Sequence, residues 1–84
     1  MRHATEEDLD QLEDLLAELR GVPELRERKR GNFALKSKAF LHFHEDSGAF
    51  YVDVKLGGSF ERMRVTSRTE QLEFVRRVRH AVND

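Results

Sequence analysis

Eighty-four residues with no cysteine and a single proline make one domain, spanning 1–84, and a chain of this length hides only roughly 60–65% of its unfolded surface from water. The missing cysteines exclude a disulfide-stapled secreted scaffold and thiol chemistry and suit a reducing cytoplasm; the polar, acidic N-terminus is no signal peptide, and no apolar run approaches a membrane span. The formal charge of −1 hides an asymmetry, since residues 1–20 carry seven acids against Arg2 and Arg20 (net −5) while residues 21–84 carry thirteen bases against nine acids (net +4).

Taken in chain order, the first element is a helix opening at Thr5. Thr5-Glu-Glu-Asp8 has the form of a capping box, and acids in a first turn suit the helix dipole. Leu9, Leu12, Leu16 and Leu19, with Leu15 beside them, make one apolar stripe. Gly21 is placed to supply a left-handed C-cap, and Pro23 stops the helix. The acidic face of Glu6, Asp10, Glu13, Asp14 and Glu18 reads as a solvated helix face, with a partner surface as the alternative. Residues 24–31 are basic with two acids mixed in, and read as a phosphate-contacting stretch, a connector or the ragged start of a strand.

Phe33 and Leu35 predict a short strand, and a turn at Lys36-Ser37-Lys38 places them on the buried face beside Leu41 and Ala39. Residues 39–56 then read as a hairpin. Leu41 and Phe43 alternate with Phe40, His42 and His44; Phe50, Val52, Val54 and Leu56 alternate with Tyr51, Asp53 and Lys55. Alternation means a strand with one buried face, and a one-residue slip would invert it. A two-residue Ser47-Gly48 turn sets Phe43 opposite Val52, Leu41 opposite Val54, His42 opposite Asp53 and His44 opposite Tyr51. Gly57-Gly58 is the next turn signal. It pairs Val52 with Met63, Phe50 with Val65, Lys55 with Phe60, Asp53 with Arg62 and Tyr51 with Arg64.

Ser67-Arg-Thr-Glu70 is a capping box that opens the last helix. Its predicted buried stripe is Leu72, Val75, Val78 and Val82, flanked by Phe74 and Ala81. The fold class expected is α+β: a two-layer sandwich of helix, four-stranded antiparallel meander and helix, with both helices on one sheet face.

The other sheet face is then open, and carries Phe40, His42, His44, Tyr51, Asp53, Lys55, Phe60, Arg62 and Arg64. Three uses follow. Exposed rings on a sheet form a patch for a second copy, as a homodimer, or for a protein partner. Phe40, Tyr51 and Phe60 could stack unpaired bases while Lys55, Arg62 and Arg64 clamp phosphates, giving a single-stranded nucleic-acid platform. His42 and His44 project from one face and, with Asp53, could ligate a divalent metal or transfer protons. Against these stand bland readings: an Asp53–Arg62 ion pair, a Tyr51–Arg64 contact and solvated histidines. No Cys/His framework, zincin motif or phosphate-binding glycine loop is present, so neither a cofactor nor catalysis is expected. The function expected is that of an interaction module working through the open face, with nucleic-acid binding as the alternative and a metal at His42/His44 as the remaining one.

The run Phe40-Leu-His-Phe-His-Glu-Asp46, the strand holding Asp53, Gly57-Gly58-Ser-Phe-Glu-Arg62, Thr66 and Glu70-Gln71 resembles a group of short uncharacterised bacterial proteins of actinobacterial type. In element order the chain is more distantly similar to the MmcQ/YjbR and TfoX N-terminal domains. The resemblance implies this fold and no mechanism, and no site residue carries over from it.

Overall fold

The computed structural model describes residues 1–83. Its elements are β1 (Arg2–His3), α1 (Glu6–Gln11), α2 (Glu13–Arg20), β2 (Leu25–Lys29), β3 (Asn32–Leu35), β4 (Lys38–Asp46), β5 (Ala49–Val54), β6 (Glu61–Arg64) and α3 (Arg68–Val82). Strands β2 to β6 form an antiparallel meander in chain order, and β1 joins β4 as a sixth strand. Leucines of the α1–α2 segment and Phe74, Val75 and Val78 of α3 share one core with Phe33, Leu41, Phe43, Phe50, Val52, Val54 and Val65 of the sheet. The α+β two-layer sandwich is thus present, with both helical layers on one sheet face and a meander one strand longer than four. No helix among the described residues is long and apolar enough to cross a membrane.

The capping box at Thr5 forms: Thr5 Oγ1 accepts from the Asp8 N–H at 3.3 Å, and Asp8 accepts from the Thr5 N–H at 2.9 Å. That backbone donor, reinforced by Arg2, holds the Asp8 carboxyl below its ordinary range. The helix is not continuous, because Leu12 (φ −99°, ψ 11°) breaks it into α1 and α2. Gly21 has φ −79° and stays right-handed, so it is not the left-handed cap expected. Its N–H nevertheless closes the last turn on the Ala17 and Glu18 carbonyls.

The acidic helix face is largely consumed inside the molecule. Arg30, beyond β2, reaches Glu6, Asp10 and Glu13 at 3.2, 2.8 and 2.9 Å. Arg20 bridges Glu13 and Glu27 at 2.6 Å each, and Arg68 reaches Glu18 at 2.5 Å. Gly31 lies where α1 meets the sheet: its φ is +82°, and a Cβ there would stand 2.8 Å from Leu9 Cδ2, so only glycine fits.

The basic stretch becomes β2. Its alternation puts Leu25 and Glu27 toward the helices and Arg26 on the outer face; the register then shifts between Glu27 and Lys29, and Arg28, the extra residue, lines the outer-face depression beside Ala34 and His42. The turn into β4 is shorter than expected. Leu35 pairs with Lys38, leaving only Lys36 and Ser37, both at positive φ (52° and 69°). Ala34 pairs with Ala39 but Phe33 pairs with Leu41, so β4 carries one extra residue, Phe40. This bulge corrects the expectation that Phe40 lies on the open face: two consecutive side chains, Phe40 and Leu41, turn inward. Phe40 is 3% exposed and belongs to the core.

From Leu41 onward the register is the one expected, through Leu41–Val54, His42–Asp53, Phe43–Val52 and His44–Tyr51. Ser47 and Gly48, at φ 53° and 85°, make the two-residue turn. Asp53–Arg62 and Tyr51–Arg64 also pair as expected, although the ladder ends at Val54–Glu61 and residues 55–60 form a looser connection than a tight Gly-Gly turn. Ser67 and Glu70 form the second capping box. The buried face of α3 is Gln71, Phe74, Val75 and Val78, whereas Leu72 is 49% exposed. Gln71 is tolerated inside because its Nε2 donates to the Val65 carbonyl at 3.1 Å.

Two outcomes test this account. Phe40→Ala is expected to lower stability by about 3–5 kcal/mol, as for a core phenylalanine, while Phe60→Ala changes it by no more than about 0.5 kcal/mol; urea unfolding of the two variants separates them. Because Lys36 and Ser37 occupy a conformation that Asn and Gly adopt more readily, the double change Lys36→Asn, Ser37→Gly is expected to raise stability by about 1 kcal/mol in the same assay.

Candidate functional site on the sheet face

Strand geometry gathers the outer-face residues. His42 and His44 are two apart on β4, so both imidazoles leave the sheet on the same side. The β4–β5 register sets Asp53 directly across from His42 and diagonal to His44. Both rings turn toward one carboxylate oxygen: His44 Nε2 is 3.0 Å from Asp53 Oδ2, and His42 Nε2 is 3.5 Å from it. Arg62, opposite Asp53 on β6, forks onto the same carboxylate, with Nε 2.7 Å from Oδ1 and Nη2 2.9 Å from Oδ2.

A further histidine joins from β1. Arg2 pairs with Glu45 and His3 with His44, along the edge of β4 that β3 occupies further back. The His3 ring centroid lies 4.7 Å from that of His44 and 5.8 Å from that of His42. Phe60 closes the other side, its ring edge-on to His42 at 5.6 Å and beneath Lys55 Nζ at 5.8 Å.

The electrostatics follow from these contacts. Arg62 holds the Asp53 carboxyl below its ordinary range despite partial burial, with the two imidazoles adding to the effect. Burial pushes the His42 imidazole down, helped by the neighbouring His44 and opposed by Asp53. His44 is only 8% exposed, and its Nε2 has no hydrogen-bond partner among the described residues. His44 Nε2 nevertheless stands 3.0 Å from Asp53 Oδ2, at ion-pair distance though outside hydrogen-bond geometry.

Most of the expected open-face residues come together here: His42, His44, Asp53 and Arg62 in one cluster, with Lys55 at its rim. Tyr51 and Arg64 stand beside it as a ladder pair. Arg64 is occupied, since its Nη1 contacts both oxygens of Glu70 at 3.0 and 2.9 Å. Phe40 is absent from the face. His3 was not legible as part of the site: a two-residue strand carries no periodicity, and only its alignment against β4 brings it in. Arg26, Arg28, Ala34 and Ala39 extend the face across β2 to β4, where a shallow depression of about 210 Å³ is lined by Arg28, Asn32, Ala34, Ala39 and His42 among others.

Comparison with protein-family models, with curated proteins and with solved structures finds no match.

A pH prediction comes from the Asp53–Arg62 fork. A carboxylate whose folded pKa is depressed contributes stability above its unfolded value, near 3.9, and loses it as the pH falls through the folded value. Arg62→Ala is therefore expected to unfold at lower urea than wild type at pH 7, with the gap closing as the pH falls through the depressed folded value and Asp53 protonates in both proteins. A gap that persists undiminished at low pH would assign the effect to packing of the Arg62 stem instead.

Proposed function

We propose that this chain is a non-catalytic cytoplasmic binding module that docks an acidic protein partner on its uncovered sheet face. One observation carries the reading. The ion pairs draw Glu6, Asp10, Glu13 and Glu18 of the helical layer onto arginines, whereas Arg26, Arg28 and Lys55 face the uncovered side with no acidic partner among the described residues. Phe60, 46% exposed, and the depression between Arg28 and His42 lie among these cations. A face with exposed apolar area rimmed by unmatched positive charge fits an acidic surface with an apolar centre.

Charge also separates the possible occupants. Two copies meeting sheet face to sheet face would set cation against cation, which opposes a symmetric dimer through this surface. A single-stranded nucleic acid needs stacking platforms and free cations. Of the rings and cations expected for that role, Phe40 is in the core, Arg62 is taken by Asp53 and Arg64 by Glu70. The cysteine-free sequence supports a reducing compartment.

The test is an amide NMR titration of the labelled full chain at low salt, with poly-glutamate as one probe and oligothymidylate of equal charge as the other. Poly-glutamate is expected to shift Arg26, Arg28 and Lys55, reversibly with added salt, and Arg26→Ala with Arg28→Ala is expected to weaken binding by about tenfold. Shifts with the oligonucleotide alone would turn the reading to nucleic acid. Sedimentation velocity is expected to show a monomer; a dimer that disappears on mutating the face would make a second copy the partner.

A further inference from the structure

We propose that His42, His44 and Asp53 form a binding site for a divalent transition-metal ion of the zinc type, with His3 as the fourth ligand. The inference does not rest on the docking reading; it rests on the geometry of the cluster and on one unpartnered buried atom.

The donor set is imidazole, imidazole and carboxylate, each able to offer one ligand atom, and these atoms all lie within 4.8 Å of one another. A tetrahedral ion bound at about 2.0–2.1 Å needs its ligand atoms roughly 3.4 Å apart. The His44–Asp53 and His42–Asp53 separations of 3.0 and 3.5 Å bracket that value. Rotation about side-chain bonds is enough to bring the three donors to that spacing, and the backbone register already holds both rings on one side of the sheet. Nitrogen and carboxylate donors suit zinc, cobalt, nickel or copper and do not suit magnesium or calcium, which take oxygen shells.

The second observation is His44 Nε2. It is buried, has no hydrogen-bond partner of good geometry among the described residues, and stands at ion-pair distance, 3.0 Å, from Asp53 Oδ2. Such a pair is satisfied by a cation between nitrogen and oxygen, either a ring proton turned toward the carboxylate or a metal ion. A metal ion placed there satisfies both atoms.

His3 supplies closure. The β1–β4 pairing holds its ring 4.7 Å from His44, on the side that Arg62 and Phe60 leave free. Arg62 acts in the opposite sense. Its Nη2 occupies Asp53 Oδ2, the oxygen that both histidines approach, so the ion must displace that contact while Nε keeps Oδ1. Arg62 is therefore a built-in competitor, and its removal should tighten binding.

The experiment is titration of the full chain with Co²⁺ alone, read by visible absorption, followed by competition with Zn²⁺. One equivalent of Co²⁺ is expected to give the strong absorption of a four-coordinate site, abolished by equimolar Zn²⁺. His42→Ala and His44→Ala are each expected to weaken binding by at least about 100-fold, and His3→Ala by about tenfold with loss of the four-coordinate spectrum. Arg62→Ala is expected to strengthen it by about tenfold, since one unit of positive charge leaves the ion's neighbourhood. His44 is buried, so the amide NMR spectrum of each variant establishes that it is folded; His42 and His3 are more exposed and give the same test without disturbing the interior. Binding weaker than millimolar in the wild type, or affinity unchanged in His42→Ala with His44→Ala, overturns the proposal. Unchanged binding and spectrum in His3→Ala removes His3 alone and leaves a three-residue site with solvent in the fourth position.

Discussion

The register of β4 on β5 is the constraint from which the rest of the outer face follows. Side chains on a strand alternate with a period of two, so a slip of one residue would exchange Phe43 and Val52 for His44 and Asp53 in the core. The energetic gap between those arrangements is large, because it buries charge on one side and exposes apolar rings on the other. Ser47 and Gly48, both at positive φ, close the hairpin with two residues and so permit no slip. Once that turn is set, His42 must face Asp53, and the β5–β6 pairing must bring Arg62 to the same carboxylate.

Strand β4 is also longer than any of its neighbours, and its two ends do different things. Near Lys38 it pairs with β3 and is bent by the bulge at Phe40; near Asp46 the same edge takes up β1. Closing the bulge would shift the strand's phase on one side of Phe40, sending either Ala39 or Leu41 to the wrong face. The bulge thus reconciles a two-residue Lys36-Ser37 turn with a core that needs Phe33 opposite Leu41. Beyond the reach of β3, the edge of β4 would be left bare beside His44. Arg2 and His3 cover it, with Arg2 tied to Asp8 and Glu45. The helix cap, the first strand and the histidine cluster are in this way joined through one arginine.

The pairing of β4, β5 and β6 was legible because three signals agree there: alternation, turn residues and even loop lengths. The capping boxes at Thr5 and Ser67 were legible for a similar reason, since each is a local pattern with a local cause. Phe40 was not, because a bulge is decided by the neighbouring strand and leaves the alternation of its own strand unmarked. Leu72 was misplaced because two helical stripes fit α3, and the one chosen by the sheet places Gln71 inside, where the Val65 carbonyl satisfies it. Strand β2 was offered only as one of three readings: Leu-Arg-Glu-Arg alternates charge rather than hydrophobicity, and its inward Glu27 depends on Arg20 and the Gly31 N–H for partners.

The same dependence on partners explains why composition is a poor guide to this surface. The asymmetric charge of the sequence suggests an acidic helix facing a basic remainder, as if both were free to meet something else. In the folded chain much of it is matched internally. Arg30 gathers three acids from the helices, Arg20 and Arg68 take others, and Arg62 and Arg64 are held by Asp53 and Glu70. What distinguishes the outer face is therefore what is left after matching: Arg26, Arg28 and Lys55 without acids among the described residues, and imidazoles grouped about a carboxylate that one arginine already claims. An exposed ion pair contributes little to stability, so the Arg62 fork can yield to a competing cation at small cost to the fold. Asp53 is the group on which that competition turns, because its carboxylate meets His42 and His44 of β4 and Arg62 of β6.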